Sequence, residues 1–137
     1  MDNTRARKLM HTFTCPPGEI IETIKEMNNP TIGWLSFRVH TSHQDIVIKL
    51  SNVRNCCEVY GIYCSERRRN EVIGAEVSCV NLYERLEPGR PEFEKSIILE
   101  LMTDRGPLDL YAYCEHNGYY PHDYSILIGD RVINGSI

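Results

Sequence analysis

Alternation of apolar and polar residues is the feature that most constrains how this chain folds. Residues 35–39 (Leu-Ser-Phe-Arg-Val) and 46–50 (Ile-Val-Ile-Lys-Leu) each carry an aliphatic or aromatic side chain at every second position. Successive side chains of a β-strand point to opposite faces, so each run predicts a strand with one buried face. The short polar turn between the two runs predicts an antiparallel hairpin.

The same period recurs later in the chain. Residues 97–101 and 108–114 carry aliphatic residues or small apolar ones at alternate positions, with Tyr111 and Tyr113 on the opposite face of the second run. Gly106 lies in the turn between them and suits a left-handed backbone position. These features predict a second antiparallel hairpin.

Three other segments give less decisive patterns. Residues 19–27 have the aliphatic spacing of a short helix but the β-branched content of an edge strand, and both remain open. Residues 65–71 are polar and predict a helical turn. Residues 75–82 return to a strand pattern. In that strand, the expected grouping places Val77, Cys79 and Asn81 on one face, opposite Val80 and Leu82.

Together these elements predict an α+β, sheet-dominated fold. We expect an antiparallel β-meander of about six strands, with one or two short helices covering a face. Residues 1–14 are expected to be a flexible lead-in. Residues 15–137 are expected to form a single globular domain, because a chain of 137 residues fits one domain.

Composition and charge narrow the classes of function. The 15 basic and 19 acidic side chains leave a net charge of −4, which argues against a general phosphate-backbone binder but leaves a local basic patch open. The first residues are charged and lead into no apolar segment of the kind found in signal peptides. No apolar run is long enough to cross a bilayer. We therefore expect no membrane association, no secretion and six reduced cysteines in an intracellular setting.

Cys56-Cys57-Glu58 is the first candidate site. Adjacent residues of an extended chain point to opposite faces, so the two thiols are poorly placed to bind one ion or to form a disulfide with each other. A packing role is the simpler interpretation. A metal site would draw on Cys57, Cys64, Cys114, His116 or His122. The local ligand spacing of structural zinc is missing, so we expect no metal or other cofactor.

Residues 115–123 form the second candidate site. Asn117-Gly118 is a strong turn signal, and Tyr119 and Tyr120 follow it. An acid–base interpretation would pair Glu58 or Glu115 with a histidine, of which His122 is the leading choice. No nucleophile elbow, phosphate loop or dinucleotide fingerprint accompanies these residues. Glu58, Glu115 and His122 are thus weak catalytic candidates.

In order along the chain, Cys56-Cys57-Glu58, residues 72–76 (Val-Ile-Gly-Ala-Glu), Asp104-Arg105-Gly106 and Asn117-Gly118-Tyr119-Tyr120 resemble an uncharacterised domain-of-unknown-function family of tailed phages and large DNA viruses. The resemblance covers about residues 18–128. It implies a viral accessory or virion-packaged protein, and it implies no activity. Family members carry a small polar residue at the position of His116, which weakens a catalytic role for that histidine.

If two distant segments define the family, they are expected to meet in the fold. We therefore predict a binding site made by Cys57, Glu58, Asn117, Gly118, Tyr119 and Tyr120.

The leading functional hypothesis is a non-enzymatic protein-interaction or structural domain. It would act in the host cytoplasm or nucleus, or packaged in the virion. Its partner would be another protein or a second copy, through an exposed strand edge or the tyrosine-bearing face. One alternative is a small metal-independent hydrolase or nuclease-like enzyme. Another is a nucleic-acid-associated factor using the arginines of residues 66–69 or the basic residues near the N-terminus.

Overall fold

The computed structural model describes residues 7–29, 33–51, 59–86, 94–115 and 122–137. Within these ranges the chain forms ten β-strands and one short helix. In chain order the elements are β1 (Arg7–Thr14), β2 (Ile21–Asn29), β3 (Trp34–Thr41), β4 (Asp45–Ser51), β5 (Val59–Tyr63), α1 (Glu66–Glu71), β6 (Val77–Leu86), β7 (Glu94–Thr103), β8 (Gly106–Glu115), β9 (Asp123–Ile128) and β10 (Arg131–Ser136).

The strands form two antiparallel sheets of five strands each. The first sheet has the order β1-β6-β7-β8-β5, and the second has the order β10-β9-β4-β3-β2. The inward side chains of both sheets belong to one buried apolar cluster. The molecule is therefore a β-sandwich in which each sheet has one face on the shared core and one outer face.

The alternation seen in the sequence correctly identifies the inward faces. Ile46, Ile48 and Leu50 on β4 have no exposed surface, and Phe37 and Val39 on β3 are buried beside them. On β7 and β8 of the first sheet, the inward positions are fully or almost fully buried: Ile97, Leu99, Leu101, Leu108, Leu110, Ala112 and Cys114. Gly106 has a φ of 93° in the turn between β7 and β8, as its place in the predicted hairpin requires.

The predicted α+β fold, an antiparallel meander of about six strands with one or two helices, is wrong. The described residues contain ten strands in two sheets and a single six-residue helix. The order within the sheets is also not a meander, because β4 pairs with β9, β5 with β8 and β1 with β6. Alternation shows which face of a strand is buried, but it does not show which strand lies beside it.

Two segments take definite structures that the sequence left open or did not foresee. The aliphatic residues near position 21 belong to an edge strand, β2, rather than to a helix. Within the expected lead-in, residues 7–14 form β1, which pairs with β6 along its length. A register shift between Leu9 and His11 marks a bulge in this edge strand. Such bulges protect an edge from unwanted pairing.

A second bulge changes which residues of β6 face the core. The register with β7 shifts between Val77 and Cys79, so Val77 is buried together with Val80 and Leu82. Cys79 and Asn81 lie on the outer side, where the Asn81 side chain donates to Glu100. The predicted grouping of Val77 with Cys79 and Asn81 is therefore wrong, because one extra residue reverses the alternation.

Helix α1 follows the edge strand β5. The Ser65 side chain caps it by accepting from the backbone N–H of Arg68, and the Arg67 side chain donates to Glu71 at 2.9 Å. A helical turn expected in residues 65–71 is thus present. No helix in the described ranges is both long and apolar enough to span a bilayer.

Candidate functional site

The site predicted from the sequence falls largely outside the described residues. Cys57, Glu58, Asn117, Gly118, Tyr119 and Tyr120 all lie in the two omitted ranges 52–58 and 116–121. Their mutual contact therefore remains a prediction. The neighbouring described residues are informative, because Val59, which follows the first range, is paired with Glu115, which precedes the second. The strands that flank the two segments are thus adjacent.

His122 is the one catalytic candidate whose side chain is described. It is 2% exposed, its ring stacks on Tyr60 with centroids 4.1 Å apart, and its Nδ1 donates to the Ser51 carbonyl at 2.7 Å. The backbone of His122 also exchanges two hydrogen bonds with Ile137. These contacts give His122 a packing role that ties the start of β9 to the end of β4 and to β5.

The cysteines in the described ranges are free thiols. Burial is the main cause that raises the pKa of Cys15 and of Cys64 to about 11, so both thiols are neutral at physiological pH. Of the ligands considered for a metal site, Cys57 and His116 lie outside the described residues. Among the residues that are described, no group of three or more histidine, cysteine or acidic side chains is arranged to hold a metal ion.

The arginines of α1 are engaged within the molecule. Arg67 and Arg68 both pair with Glu71, and Arg68 also donates to the carbonyls of Arg105 and Pro107 at 2.9 and 3.0 Å. Arg69 lies over the Phe37 ring, 5.4 Å from its centroid. These contacts fasten α1 to the turn between β7 and β8 and to the second sheet.

A buried carboxylate not foreseen from the sequence lies at one end of the sandwich. Glu19 has no exposed surface, and its side chain accepts from the Thr41 hydroxyl and from His43 Nδ1, the latter at 2.9 Å. Its backbone carbonyl accepts from the N–H of Val77 at 2.8 Å. Glu19 therefore links the turn between β3 and β4 to the entry of β6. The only sequence signal is a single acidic residue between Gly18 and an aliphatic run.

The outer face of the first sheet carries an unusual row of side chains. Direct cross-strand pairs join Leu9 to Tyr83, Tyr83 to Ile98, Ile98 to Tyr111 and Tyr111 to Tyr63. Directly paired residues point to the same face, so these five side chains form one row across all five strands. We refer to this row as the tyrosine stripe.

The tyrosine stripe is exposed at its ends and covered at its centre. Leu9 is 53% exposed and Tyr63 is 58% exposed, whereas Ile98 has no exposed surface. The Tyr63 and Tyr111 rings lie with centroids 6.2 Å apart. The outer face of a sandwich sheet is normally polar, so an apolar and aromatic row here has no role in the shared core.

A polar network crosses the stripe, from Arg7 in the row on one side to Glu100 and Asp109 in the row on the other. The Arg7 guanidinium lies over the Tyr83 ring, 5.7 Å from its centroid, and reaches Glu100 at 3.8 Å and Asp109 at 3.5 Å. Arg7 also donates to the Tyr111 hydroxyl at 3.4 Å. One arginine from β1 thus extends across β6 and contacts groups on β7 and β8.

Burial within this network raises the pKa of Asp109, and the attraction of Arg7 only partly opposes that effect. Burial likewise raises the pKa of the Tyr111 hydroxyl. A desolvated carboxylate held on an outer face gives little stability, and such groups are typical of functional surfaces.

Tyr113 extends the same face beside the stripe. Its ring lies against Gly61 of β5, where an added Cβ atom would come within 2.7 Å of the Tyr113 hydroxyl. The missing side chain at Gly61 therefore lets this tyrosine lie across the edge strand.

No family model, no curated protein and no solved structure matches this chain.

Proposed function

We propose that this chain is a viral accessory or virion-packaged protein that works as a non-enzymatic interaction domain. The viral assignment is supported by the sequence resemblance described above. The interaction role is supported by one structural observation, the tyrosine stripe on the outer face of the first sheet. The protein would act in the host cytoplasm or nucleus, or inside the virion.

The chemistry of the stripe favours a protein partner. Tyrosine and arginine are enriched at protein interfaces and among the few residues that dominate the binding energy. The stripe supplies three tyrosines, and Arg7 lies against it in a network that limits its side-chain freedom. A preorganised surface of this kind loses little conformational entropy on binding.

The two alternatives have less support. A metal-independent hydrolase would use Glu58, Glu115 and His122, but the His122 ring is buried against Tyr60 and bonded to a backbone carbonyl. A nucleic-acid-associated factor would use the arginines of α1, which are engaged with Glu71 and with backbone carbonyls.

Site-specific photo-crosslinking tests the proposal. A photoreactive phenylalanine analogue at Tyr63 should give protein adducts in infected-cell extract, and the variant Leu9→Arg should abolish them. The matched control places the same analogue at Val132, which is 57% exposed on the outer face of the second sheet. Equal adducts from both positions, or none from Tyr63, would contradict an interaction role for the stripe.

A further inference from the structure

The order of side chains in the tyrosine stripe is almost the same from either edge of the sheet. Its order across the sheet is Leu9, Tyr83, Ile98, Tyr111, Tyr63, with Ile98 at the centre. A two-fold symmetric interface needs such a self-complementary patch, because each residue must meet its counterpart in both directions. A two-fold axis through Ile98 would bring Leu9 of one copy onto Tyr63 of the other, and Tyr83 onto Tyr111.

The geometry of two facing sheets suits this arrangement. If the axis runs parallel to β7, rotation keeps the strands of both copies aligned, which is one of the two common ways in which sheets pack. The two stripes would then lie over each other along about 19 Å, which is four strand spacings of about 4.8 Å. The Arg7 side chains, which lie between Tyr83 and Tyr111 in each copy, would face each other at the centre. The exposed ends at Leu9 and Tyr63 would become covered.

The row next to the stripe is complementary under the same rotation. Arg85, Ser96 and Tyr113 follow one another across β6, β7 and β8. The axis would place Arg85 of one copy opposite Tyr113 of the other. A guanidinium over a tyrosine ring is a favourable cation–π contact.

The acidic row on the other side requires Arg7. The axis would bring Glu100 of the two copies close together, with Asp109 beside it. In each copy Arg7 already contacts both carboxylates, and its charge offsets one of their two negative charges. Arg7 is therefore needed for the pairing as well as for the order of the face.

The area of the face is also sufficient for a dimer interface. The strands β6, β7 and β8 have ten residues each, β1 has eight and β5 has five. At about 3.3 Å per residue and about 4.8 Å between strands, they give roughly 680 Å². Stable protein–protein interfaces bury about 600–1,000 Å² on each partner.

From this symmetry, complementarity and size we infer that the tyrosine stripe binds the same stripe of a second copy of this chain, in a two-fold dimer centred on Ile98. The inference rests on the proposed function and names its partner. The first test is sedimentation equilibrium of the purified chain from about 1 to 200 μM. We expect a concentration-dependent dimer, which Tyr63→Arg weakens on the order of 100-fold because each dimer contains the substitution twice.

Val132→Arg is the control for this variant, since Val132 is equally exposed on the other outer face. Leu9→Arg is a second, independent variant at the opposite end of the stripe, and circular dichroism checks that every variant is folded. Dimerisation that Val132→Arg disrupts, and that Tyr63→Arg and Leu9→Arg leave intact, would overturn the inference.

Thiol crosslinking with a short bis-maleimide tests the direction of pairing, because facing sheets lie about 10 Å apart and a disulfide cannot span that distance. Leu9→Cys protein mixed with Tyr63→Cys protein should give a covalent mixed dimer, beyond the background of the native cysteines. Leu9→Cys alone should give none, because the two Leu9 positions would lie more than about 19 Å apart. Efficient crosslinking of Leu9→Cys alone would refute a two-fold axis parallel to β7.

Failure of the inference and failure of the proposed function are distinguishable. A monomer at 200 μM that still gives adducts with other proteins from the photoreactive residue at position 63 would overturn the dimer and leave the interaction role standing. A monomer that gives no adducts at all would overturn both.

Discussion

Replacing Thr41 with valine removes a hydroxyl donor from the buried carboxylate of Glu19 while keeping the volume of the side chain. Thr41 is 1% exposed and Glu19 has no exposed surface, so water cannot take the place of the lost hydroxyl. His43 remains as a donor to the same carboxylate. The substitution therefore removes the hydrogen bond to the buried carboxylate together with the bond that the hydroxyl accepts from Gln44.

The magnitude follows from the contacts that are lost. A hydrogen bond to a charged group contributes about 1.5–3 kcal/mol, and the Thr41 hydroxyl also accepts from the N–H of Gln44 at 3.2 Å, a bond of about 1 kcal/mol. We expect Thr41→Val to lower the free energy of unfolding by about 2–4 kcal/mol. With a urea dependence of about 2 kcal/mol per M, the midpoint would fall by about 1–2 M.

Urea unfolding followed by circular dichroism measures this change. Thr23→Val is the matched control, because Thr23 is exposed on β2 and its substitution should alter stability by less than about 0.5 kcal/mol. Glu19→Gln in both backgrounds completes a double-mutant cycle. The glutamine amide oxygen can still accept from Thr41, so the coupling energy reports only the difference between a charged and a neutral hydrogen bond, about 0.5–1.5 kcal/mol. A Thr41→Val midpoint within about 0.3 M of the parent, or no coupling, would refute the reasoning.

Three further outcomes are expected. The buried thiols Cys15 and Cys64 have pKa values raised from 9.0 to about 11, so their stabilisation is complete below pH 9 and is lost between pH 9 and 11. Unfolding in urea should show a loss of up to about 2.7 kcal/mol for each thiol, whereas a flat profile over this range would contradict it. His122→Phe keeps an aromatic ring but loses the bond to the Ser51 carbonyl, and thermal unfolding should show a loss of about 1–2 kcal/mol; an unchanged transition would argue against that bond. Burial raises the pKa of Asp109, so the charged carboxylate opposes folding as the pH rises through that pKa, and Asp109→Asn should be as stable as the parent or more stable at pH 7; marked destabilisation would contradict this.

The sequence was sufficient to identify most inward-facing positions. Residues such as Ile48, Leu99 and Leu110 lie in alternating runs, and the faces predicted for them are the buried ones. Local alternation carries this information because each strand must place one face against the core. Pairing between distant strands carries no such local signal, which is why the partnership of β4 with β9 was not predicted.

Two smaller errors have physical causes of the same kind. The bulge between Val77 and Cys79 reverses the alternation of β6, and no residue at that point predicts a bulge. The sequence gives no sign that Glu19 is buried, because its donors Thr41 and His43 lie more than twenty residues away along the chain. A buried charge is recognisable only when its partners are known.

The candidate surface was visible only in part. The sequence placed Tyr111 and Tyr113 on one face of a strand, and this is where they lie. The remaining members of the stripe come from four other strands, and their alignment depends on the register of each pair. The predicted site around Cys57 and Tyr119 lies outside the described residues and stays a prediction.

The tyrosine stripe exists only in the folded protein, so a partner can bind it only after folding. Its five side chains come from positions between 9 and 111, one from each strand of the first sheet, and the two that are nearest in sequence, Ile98 and Tyr111, are thirteen positions apart. No peptide of fewer than 14 residues therefore contains more than one of them. Folding must close long loops before the row exists, and β-sheets with such distant pairings form slowly. A newly made chain therefore has no binding surface until the first sheet is complete. Peptide arrays of the sequence should find nothing, and an antibody against the row should bind the native protein alone.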